Sequence, residues 1–226
     1  VACSVAPEDV ISAPDVSSIY EVPLYFREEG VSDRITEKLG LNKSRADING
    51  WKHLVHRIKT SHKPVRIGVV GKYFSTGNFV LTDSYLSVLE AIKHAAWQLG
   101  RKPEIEWLNS EDFESHPSKL PRLLKPLDGV LIPGGFGTRG VEGKIAAIKY
   151  VREHKIPYLG LCYGMQLATV EFARHVLGWK DANTTEIDAA TSHPVIHLMH
   201  EQERKMEDKN YGGTMRLGVY PCVLKR

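Results

Sequence analysis

Cys162 stands at a point where a predicted strand gives way to a predicted helix, with Gly160 and Gly164 two residues to either side. A strand, a sharp turn and a helix around a central nucleophile form a nucleophile elbow, here with cysteine in place of serine. The start of a helix favours the thiolate, which is the form that attacks carbonyl carbon. Glycines allow a tight turn and a close approach of substrate. A small buried cysteine at a strand end is the alternative, but the paired glycines favour a nucleophile.

A second glycine-rich segment, residues 133–137, directly follows another apolar strand, residues 129–132. It lacks the Lys-Ser/Thr pair that a phosphate-binding P-loop needs. Beside a nucleophile elbow, such a turn can offer a backbone N–H to an oxyanion, and the N–H after the nucleophile is the second donor. A plain tight turn between strand and helix is the alternative interpretation.

The elements that must position these segments alternate between strand and helix from residue 65 onwards. Strands are predicted over residues 65–71, 105–108, 129–132 and 158–161, and helices over residues 83–99, 120–124, 144–151 and after Cys162. This order predicts an α/β fold with a mostly parallel sheet and helices on both faces. Ligands bind beyond the carboxyl ends of such strands, where Cys162 and the second glycine segment both lie. After residue 179 the pattern weakens, leaving possible strands at 195–199 and 219–224.

The first 64 residues have a different character. Residues 14–24 alternate extended residues with prolines, which favours a docking loop, and residues 30–39 predict a short helix with Ser32 as N-cap. Residues 43–63 predict an amphipathic linker helix whose basic face is solvated. We therefore predict three parts, residues 1–41, 42–64 and 65–226.

Composition excludes several function classes. The 226 residues carry a net charge of +3, which is too mild to indicate a nucleic acid or a membrane as partner. No transmembrane helix or signal peptide is visible. The three cysteines are far apart, so they predict neither a disulfide framework nor a zinc site. A reducing, cytoplasmic location is the expectation.

Several blocks of the chain resemble the glutaminase domain of the CTP synthase family, a class I glutamine amidotransferase domain. They are residues 131–143 (LIPGGFGTRGVEG), 158–167 (YLGLCYGMQL), 179–186 (WKDANTTE), 192–195 (SHPV) and 212–218 (GGTMRLG). Residues 1–24 resemble the end of the synthetase domain that precedes it in that family. The resemblance implies a flavodoxin-like sheet and hydrolysis of glutamine to feed a glutamine-hydrolysing ligase.

The resemblance also assigns roles to particular residues. Cys162 would form a glutamyl thioester, with the backbone N–H groups of Gly135 and Tyr163 on the oxyanion. Glu186 and Gln166 would hold the amino-acid end of glutamine, and a carboxylate suits its α-ammonium group. The predicted glutamine-binding set is Gly135, Tyr163, Gly164, Met165, Gln166 and Glu186, and the predicted allosteric GTP set is Arg139, Gly140, Glu142, Thr214 and Arg216.

The implied partners are L-glutamine and a synthetase domain of the same polypeptide, which would aminate UTP to CTP with ATP and Mg²⁺. In that family GTP is an allosteric activator, and the implied assembly is a homotetramer. No cofactor and no metal are expected within this segment.

One feature of the family is missing from this sequence. Amidotransferases use a His-x-Glu pair as the base for the thiol, and none of the ten histidines here begins such a pair. The expectation is that the catalytic domain is incomplete in these 226 residues. The alternatives are a catalytically silent nucleotide-sensing module, or a different cysteine hydrolase of γ-glutamyl substrates. If these 226 residues are fully active by themselves, one of the histidines present must be the base, and His193 is the first candidate.

Overall fold

The computed structural model describes residues 4–42, 47–72 and 85–197. Contacts between residues divide the chain into two units. The first consists of Val1–Val65 with Leu89–Glu104, and the second of Arg66–Val88 with Ile105–Arg226. The predicted three-part division stays a prediction.

The first unit is built mainly from helices. Short 3-10 turns at Pro7–Asp9 and Ile19–Glu21 precede α1 (Val22–Glu28), α2 (Val31–Lys38) and α3 (Asn49–Thr60), and most of α4 (Leu86–Gln98) also belongs here. The helix predicted over residues 30–39 is confirmed, but its N-cap is Gly30, at φ 69°, and not Ser32. The predicted linker helix is shorter than residues 43–63.

Helix α1 replaces part of the predicted docking loop. Pro23 lies in its first turn, where a residue without an N–H is tolerated because the N–H groups of a first turn have no intrahelical acceptor. Just before it, the ring of Tyr20 contacts those of Trp51, His94 and Trp97. The Tyr20 hydroxyl donates to Glu90 Oε2 at 2.6 Å. Burial and this carboxylate raise the pKa of Tyr20 to about 12.

Most of a four-stranded sheet belongs to the second unit. Its strands are β1 (Lys63–Gly71), β2 (Arg101–Asn109), β3 (Gly129–Ile132) and β4 (Tyr158–Gly160), in the order β2-β1-β3-β4. β3 runs parallel to both β1 and β4, which confirms the predicted parallel sheet. The helices of this unit are α5 (Ser110–Ser115), α6 (Leu120–Leu124), α7 (Val141–Glu153) and α8 (Tyr163–His175).

The core lies around β3, all four residues of which are buried, and around the inner faces of α5, α7 and α8. α7 and α8 are also joined by charge, because Arg152 Nη2 lies 2.8 Å from Oε1 of the buried Glu171. The largest fully buried side chains are Tyr163, Phe113, Lys144, Leu124, Ile132, Ile145, Leu167, Glu171, Val69, Val70, Val141 and Val151.

The remaining sequence predictions differ in detail. β2 begins at Arg101 rather than residue 105, and α5 was not predicted. Beyond residue 179, the described residues form only the short parallel pair β5 (Asn183–Thr184) and β6 (Pro194–Ile196). The predicted cap Asp83 and the predicted strand over residues 219–224 lie outside the described residues.

None of the helices formed by the described residues is both long enough and apolar enough to cross a membrane. Nor do these residues bring together three or more His, Cys, Asp or Glu side chains that could hold a metal ion.

Candidate active site

Cys162 is the N-cap of α8 and has a backbone conformation that L-residues rarely adopt, with φ 50° and ψ −105°. Such a conformation costs on the order of 1–3 kcal/mol and persists only where the surrounding structure enforces it. Here Leu161 N–H donates to Ile132 O at 2.9 Å, and Gln166 N–H donates to Cys162 O at 3.1 Å. The cysteine is free and exposed. A sharp strand-to-helix turn that presents a thiol to solvent has the geometry of the predicted elbow.

The two flanking glycines are required by packing. A Cβ on Gly164 would lie 2.1 Å from Ile132 O, and one on Gly160 would lie 2.6 Å from Met165 N. No side chain fits at these distances, so both glycines let the first turn of α8 approach β3 and β4 closely. Larger residues are therefore excluded at both positions by the neighbouring backbone. The expectation from the sequence was that these glycines give substrate access to Cys162.

Residues 133–137, called the glycine loop below, follow β3 and lie against the elbow. A Cβ built on Gly134 would stand 3.5 Å from Cys162 Cβ and 3.9 Å from its Sγ, which is ordinary van der Waals contact. A Cβ on Gly135 would stand 3.8 Å from Tyr163 Cδ1. The loop backbone thus borders the thiol. The N–H of Tyr163, the first residue of α8, has no acceptor within its own helix.

Three side chains brace the glycine loop. The Tyr163 hydroxyl donates to Gly137 O at 2.6 Å, and Gly137 N–H donates to Glu186 Oε1 at 2.9 Å. Lys72 Nζ donates to Phe136 O. Burial, reinforced by the Glu186 charge, raises the pKa of Tyr163 well above its ordinary value, so its phenol stays a donor.

The structure brings most of the predicted glutamine-binding set to one place. Glu186 is exposed and reaches the glycine loop from the segment after β5, where Thr184 Oγ1 accepts its N–H at 3.1 Å. Gly164, Met165 and Gln166 follow Cys162 in the first turn of α8. Met165 is about half exposed, at 54%, and Gln166 is partly exposed. Their roles toward glutamine stay predictions.

The predicted GTP residues at the start of α7 have partners within the chain. Arg139 pairs with the Glu111 carboxylate. Gly140 has φ 72°, and a Cβ there would lie 2.3 Å from Ser110 Oγ. Glu142 accepts from Arg174 Nη1 at 2.9 and 3.0 Å. These contacts fasten the start of α7 to α5 and α8. A role toward GTP stays a prediction, and Thr214 and Arg216 lie outside the described residues.

His193 has a carboxylate partner that the sequence analysis missed. Asp181 Oδ1 lies 2.6 Å from His193 Nδ1, and the imidazole stacks on Trp179 with ring centroids 5.1 Å apart. Hydrogen bonds from Ser192 and then His193 lower the pKa of Asp181 to about 2. Asp181 and His193 are twelve residues apart in the sequence, so no local pattern indicates the pair. The pairing of β5 with β6 brings the two side chains together.

Lys144 is the second residue that the sequence analysis missed. Its side chain is fully buried, and Nζ has no hydrogen-bond partner in the described part of the chain. Nζ lies 5.3 Å from the centroid of the Tyr163 ring and 3.9 Å from where a Cβ on Gly135 would stand. Burial, and next the Lys72 charge, lower the pKa of Lys144 to about 8. The helical pattern could have indicated that Lys144 is buried, because it shares a helical face with the buried residues Ile148 and Val151.

Comparison with known proteins gives consistent matches. The family model described as "Glutamine amidotransferase class-I" matches residues 80–225. The CTP synthase of Pelotomaculum thermopropionicum is 51% identical over 222 residues, which is 98% of this chain and 40% of that protein. The CTP synthases of Listeria innocua and Pyrococcus abyssi are 46% and 48% identical, each over 99% of this chain and 40% of its own length.

A solved structure is also similar. It is described as the Trypanosoma brucei CTPS glutaminase domain with bound acivicin, and it aligns with a TM-score of 0.56 at 39% identity. The alignment covers 63% of this chain and 53% of that chain. The chain spans about 40% of the length of the curated relatives it matches.

Proposed function

Because this chain belongs to the class I glutamine amidotransferase family, we propose that it is the glutaminase part of a CTP synthase. It would hydrolyse glutamine and supply ammonia for the ATP-dependent amination of UTP to CTP. The observation that carries the proposal is the enforced positive φ of Cys162 at an exposed elbow, bordered by Gly134. Relatives named CTP synthase, aligned over nearly the whole chain, support the choice within the family.

In the proposed reaction the Cys162 thiolate attacks the carboxamide carbon of glutamine. The C–S bond forms while the carbonyl π electrons move onto oxygen, and the N–H groups of Gly135 and Tyr163 are the proposed donors to this oxyanion. Each such donor is worth about 3 kcal/mol in the transition state. Collapse of the intermediate expels a protonated nitrogen as ammonia and leaves a glutamyl thioester. Water then hydrolyses the thioester to glutamate and free thiol.

Proton transfer needs a base, and we propose that it lies outside these 226 residues. The sequence contains no His-x-Glu pair, which is the arrangement that the family resemblance leads us to expect. Two described histidines lie beside a carboxylate. The partner of His175, Glu171, is already paired with Arg152. His193, by contrast, has the partner Asp181, which would orient a base. It is therefore the internal candidate against which this proposal must be tested.

The remaining partners are proposals for the whole protein. They are a synthetase domain that binds UTP and ATP with Mg²⁺, a homotetrameric assembly and a cytoplasmic location. We also retain GTP as an allosteric activator near Arg139, Gly140, Glu142, Thr214 and Arg216. Any GTP contact by Arg139 or Glu142 would have to coexist with, or replace, their pairs with Glu111 and Arg174.

Selective labelling tests the proposed nucleophile. In the complete protein, a chloroketone analogue of glutamine should alkylate Cys162 alone, and excess glutamine should slow this at least about tenfold by occupying the same site. Mass spectrometry of the intact and digested protein measures the adduct. Cys162→Ala should take up none, while Cys3 and Cys222 should remain unmodified. Labelling that is indifferent to glutamine would contradict a glutamine site at Cys162.

A pair of variants tests Glu186. Glu186→Ala should raise the KM for glutamine about 10- to 100-fold, because a charged hydrogen bond is worth about 1.5–3 kcal/mol. This rise should exceed the fall in kcat. Glu186→Gln keeps an oxygen that can accept from Gly137 N–H but loses the charge, so KM should rise while kcat stays close to wild type. Steady-state ammonia release measures both constants, and a wild-type KM in both variants would remove Glu186 from the site.

A further inference from the structure

Lys144 combines full burial, an unpartnered charge-bearing group and a position against the candidate site. It is the fourth residue of α7, and its N–H donates to Gly140 O at 3.2 Å. The first turn of the helix therefore fixes the position of the Lys144 backbone. Lys144 Nζ lies 5.3 Å from the centroid of the Tyr163 ring and close to Gly135 of the glycine loop. Lysine is almost never fully buried without a partner, and the described residues offer Nζ no hydrogen-bond acceptor.

A packing role alone does not account for this arrangement. A lysine that only contributes its aliphatic stem normally extends its ammonium to water, whereas here the whole side chain is enclosed. Placing the ammonium over the Tyr163 ring recovers some of the lost solvation through the cation–π contact. Such a contact can hold the charge in place, but a methionine would fill the same space without any desolvation cost. The charge itself therefore calls for an explanation.

The glycine loop supplies one. Gly135 and Tyr163, which both lie close to Lys144 Nζ, are also the two proposed sources of oxyanion N–H groups. A positive charge in an enclosed site acts through a lower effective dielectric than in water, so it favours negative charge that develops a few ångströms away. The ammonium does not itself need to contact the substrate.

We propose that Lys144 is a positioning residue of the glutaminase site, whose buried ammonium, beside Gly135 of the glycine loop, favours negative charge on the carbonyl oxygen of the bound amide. The inference rests on the proposed function. It predicts an effect on the acylation of Cys162 and, at equal thiolate fraction, none on reactions of the thiolate that develop no oxyanion.

The charged and titratable groups around Lys144 set the pH range of the effect. On the described elements packed nearby they are Lys72 after β1, Tyr163 on α8 and Glu186 after β5. Tyr163 stays neutral, and Glu186 is exposed. Since the pKa of Lys144 is lowered to about 8, its charge is present below about pH 8 and is lost above it. The contribution to acylation should decline over the same range.

The test compares two reactions of Cys162 in the complete protein. Lys144→Met should lower kcat for glutamine hydrolysis about 10- to 100-fold and change KM less than about twofold. Alkylation of Cys162 by iodoacetamide, a displacement at saturated carbon, should keep its wild-type rate constant when the rates are compared per thiolate, because a nearby ammonium also raises the thiolate fraction. Lys149→Met, on the exposed side of the same helix, is the matched control and should leave both rates unchanged. Equal loss of both reactions in Lys144→Met would indicate a structural role and overturn the inference.

The pH profile gives a second, independent readout. Wild-type kcat should show a decline above about pH 8 that Lys144→Met lacks, and Lys144→Arg, which stays charged, should shift that decline to higher pH. A wild-type kcat and pH profile in Lys144→Met would overturn the inference while leaving the proposed function intact. Absence of any glutamine hydrolysis by the wild-type complete protein would instead overturn the proposed function, and this inference with it.

Discussion

Replacing Cys162 by alanine in the complete protein should abolish CTP formation from glutamine and spare CTP formation from free ammonia. The glutamine-dependent rate should fall more than about 10⁴-fold, because no other group can form the thioester and removal of a nucleophile forfeits the whole covalent route. Ammonia supplied in solution bypasses the glutaminase step, so the synthetase reaction should run close to its wild-type rate. Parallel assays with the two nitrogen sources measure the effect.

The substitution is a clean one for this position. Alanine keeps the Cβ that already exists at φ 50°, so it adds no new backbone strain, and it removes only an exposed Sγ. The fold should therefore persist, which thermal unfolding can verify. Cys222→Ala serves as a matched control and should leave both activities unchanged. Equal loss of both activities in Cys162→Ala would mean that Cys162 supports the fold or the synthetase reaction instead.

The parts of the fold that carry the site could be predicted because their signals are local. An apolar strand that ends one residue before a cysteine, with glycines on both sides, specifies the strand, turn and helix within a dozen residues. The glycine loop follows its strand just as directly. Parallel alternation then places both at the same edge of the sheet. The contact between Gly134 and Cys162 is consistent with that reasoning.

What could not be predicted depends on contacts between distant parts of the chain. The strict need for glycine at position 164 comes from backbone atoms of β3, which is some thirty residues away in sequence. The Asp181–His193 pair and the Glu186–Gly137 hydrogen bond have the same character. Lys144 differs, because its helical position already places it on the inner face. Its charge argued against burial, and tertiary packing overrode that preference.

Helix α1 shows that a proline need not interrupt a helix. Pro14 and Pro23 together favoured an extended segment, yet Pro23 falls in the first turn of a helix, where the missing N–H costs nothing. The missing N–H of proline is therefore compatible both with an extended segment and with the first turn of a helix. Which one applies depends on whether the following residues continue the helix, as they do through Glu28.

The second large effect concerns the base. We expect the 226-residue chain to release ammonia from glutamine about 10²- to 10⁴-fold more slowly than the complete protein, the factor that a positioned general base contributes. The thiol of this chain would have to rely on its own ionisation and on water to return a proton to the leaving nitrogen. The elbow and the proposed oxyanion donors would be retained. Assays of the two proteins at equal concentration, with Cys162→Ala as the blank, measure the ratio.

This expectation would be wrong if His193 were the base. Its Nδ1 faces the Asp181 carboxylate and its ring rests on Trp179, so its tautomer and orientation are fixed in the way that a base requires. Under our proposal these contacts serve to join β5 and β6, and His193→Asn should lower glutamine hydrolysis by the complete protein less than about threefold. Full activity of the 226-residue chain, abolished by His193→Asn and weakened by Asp181→Asn, would instead make His193 the base and Asp181 the group that orients it.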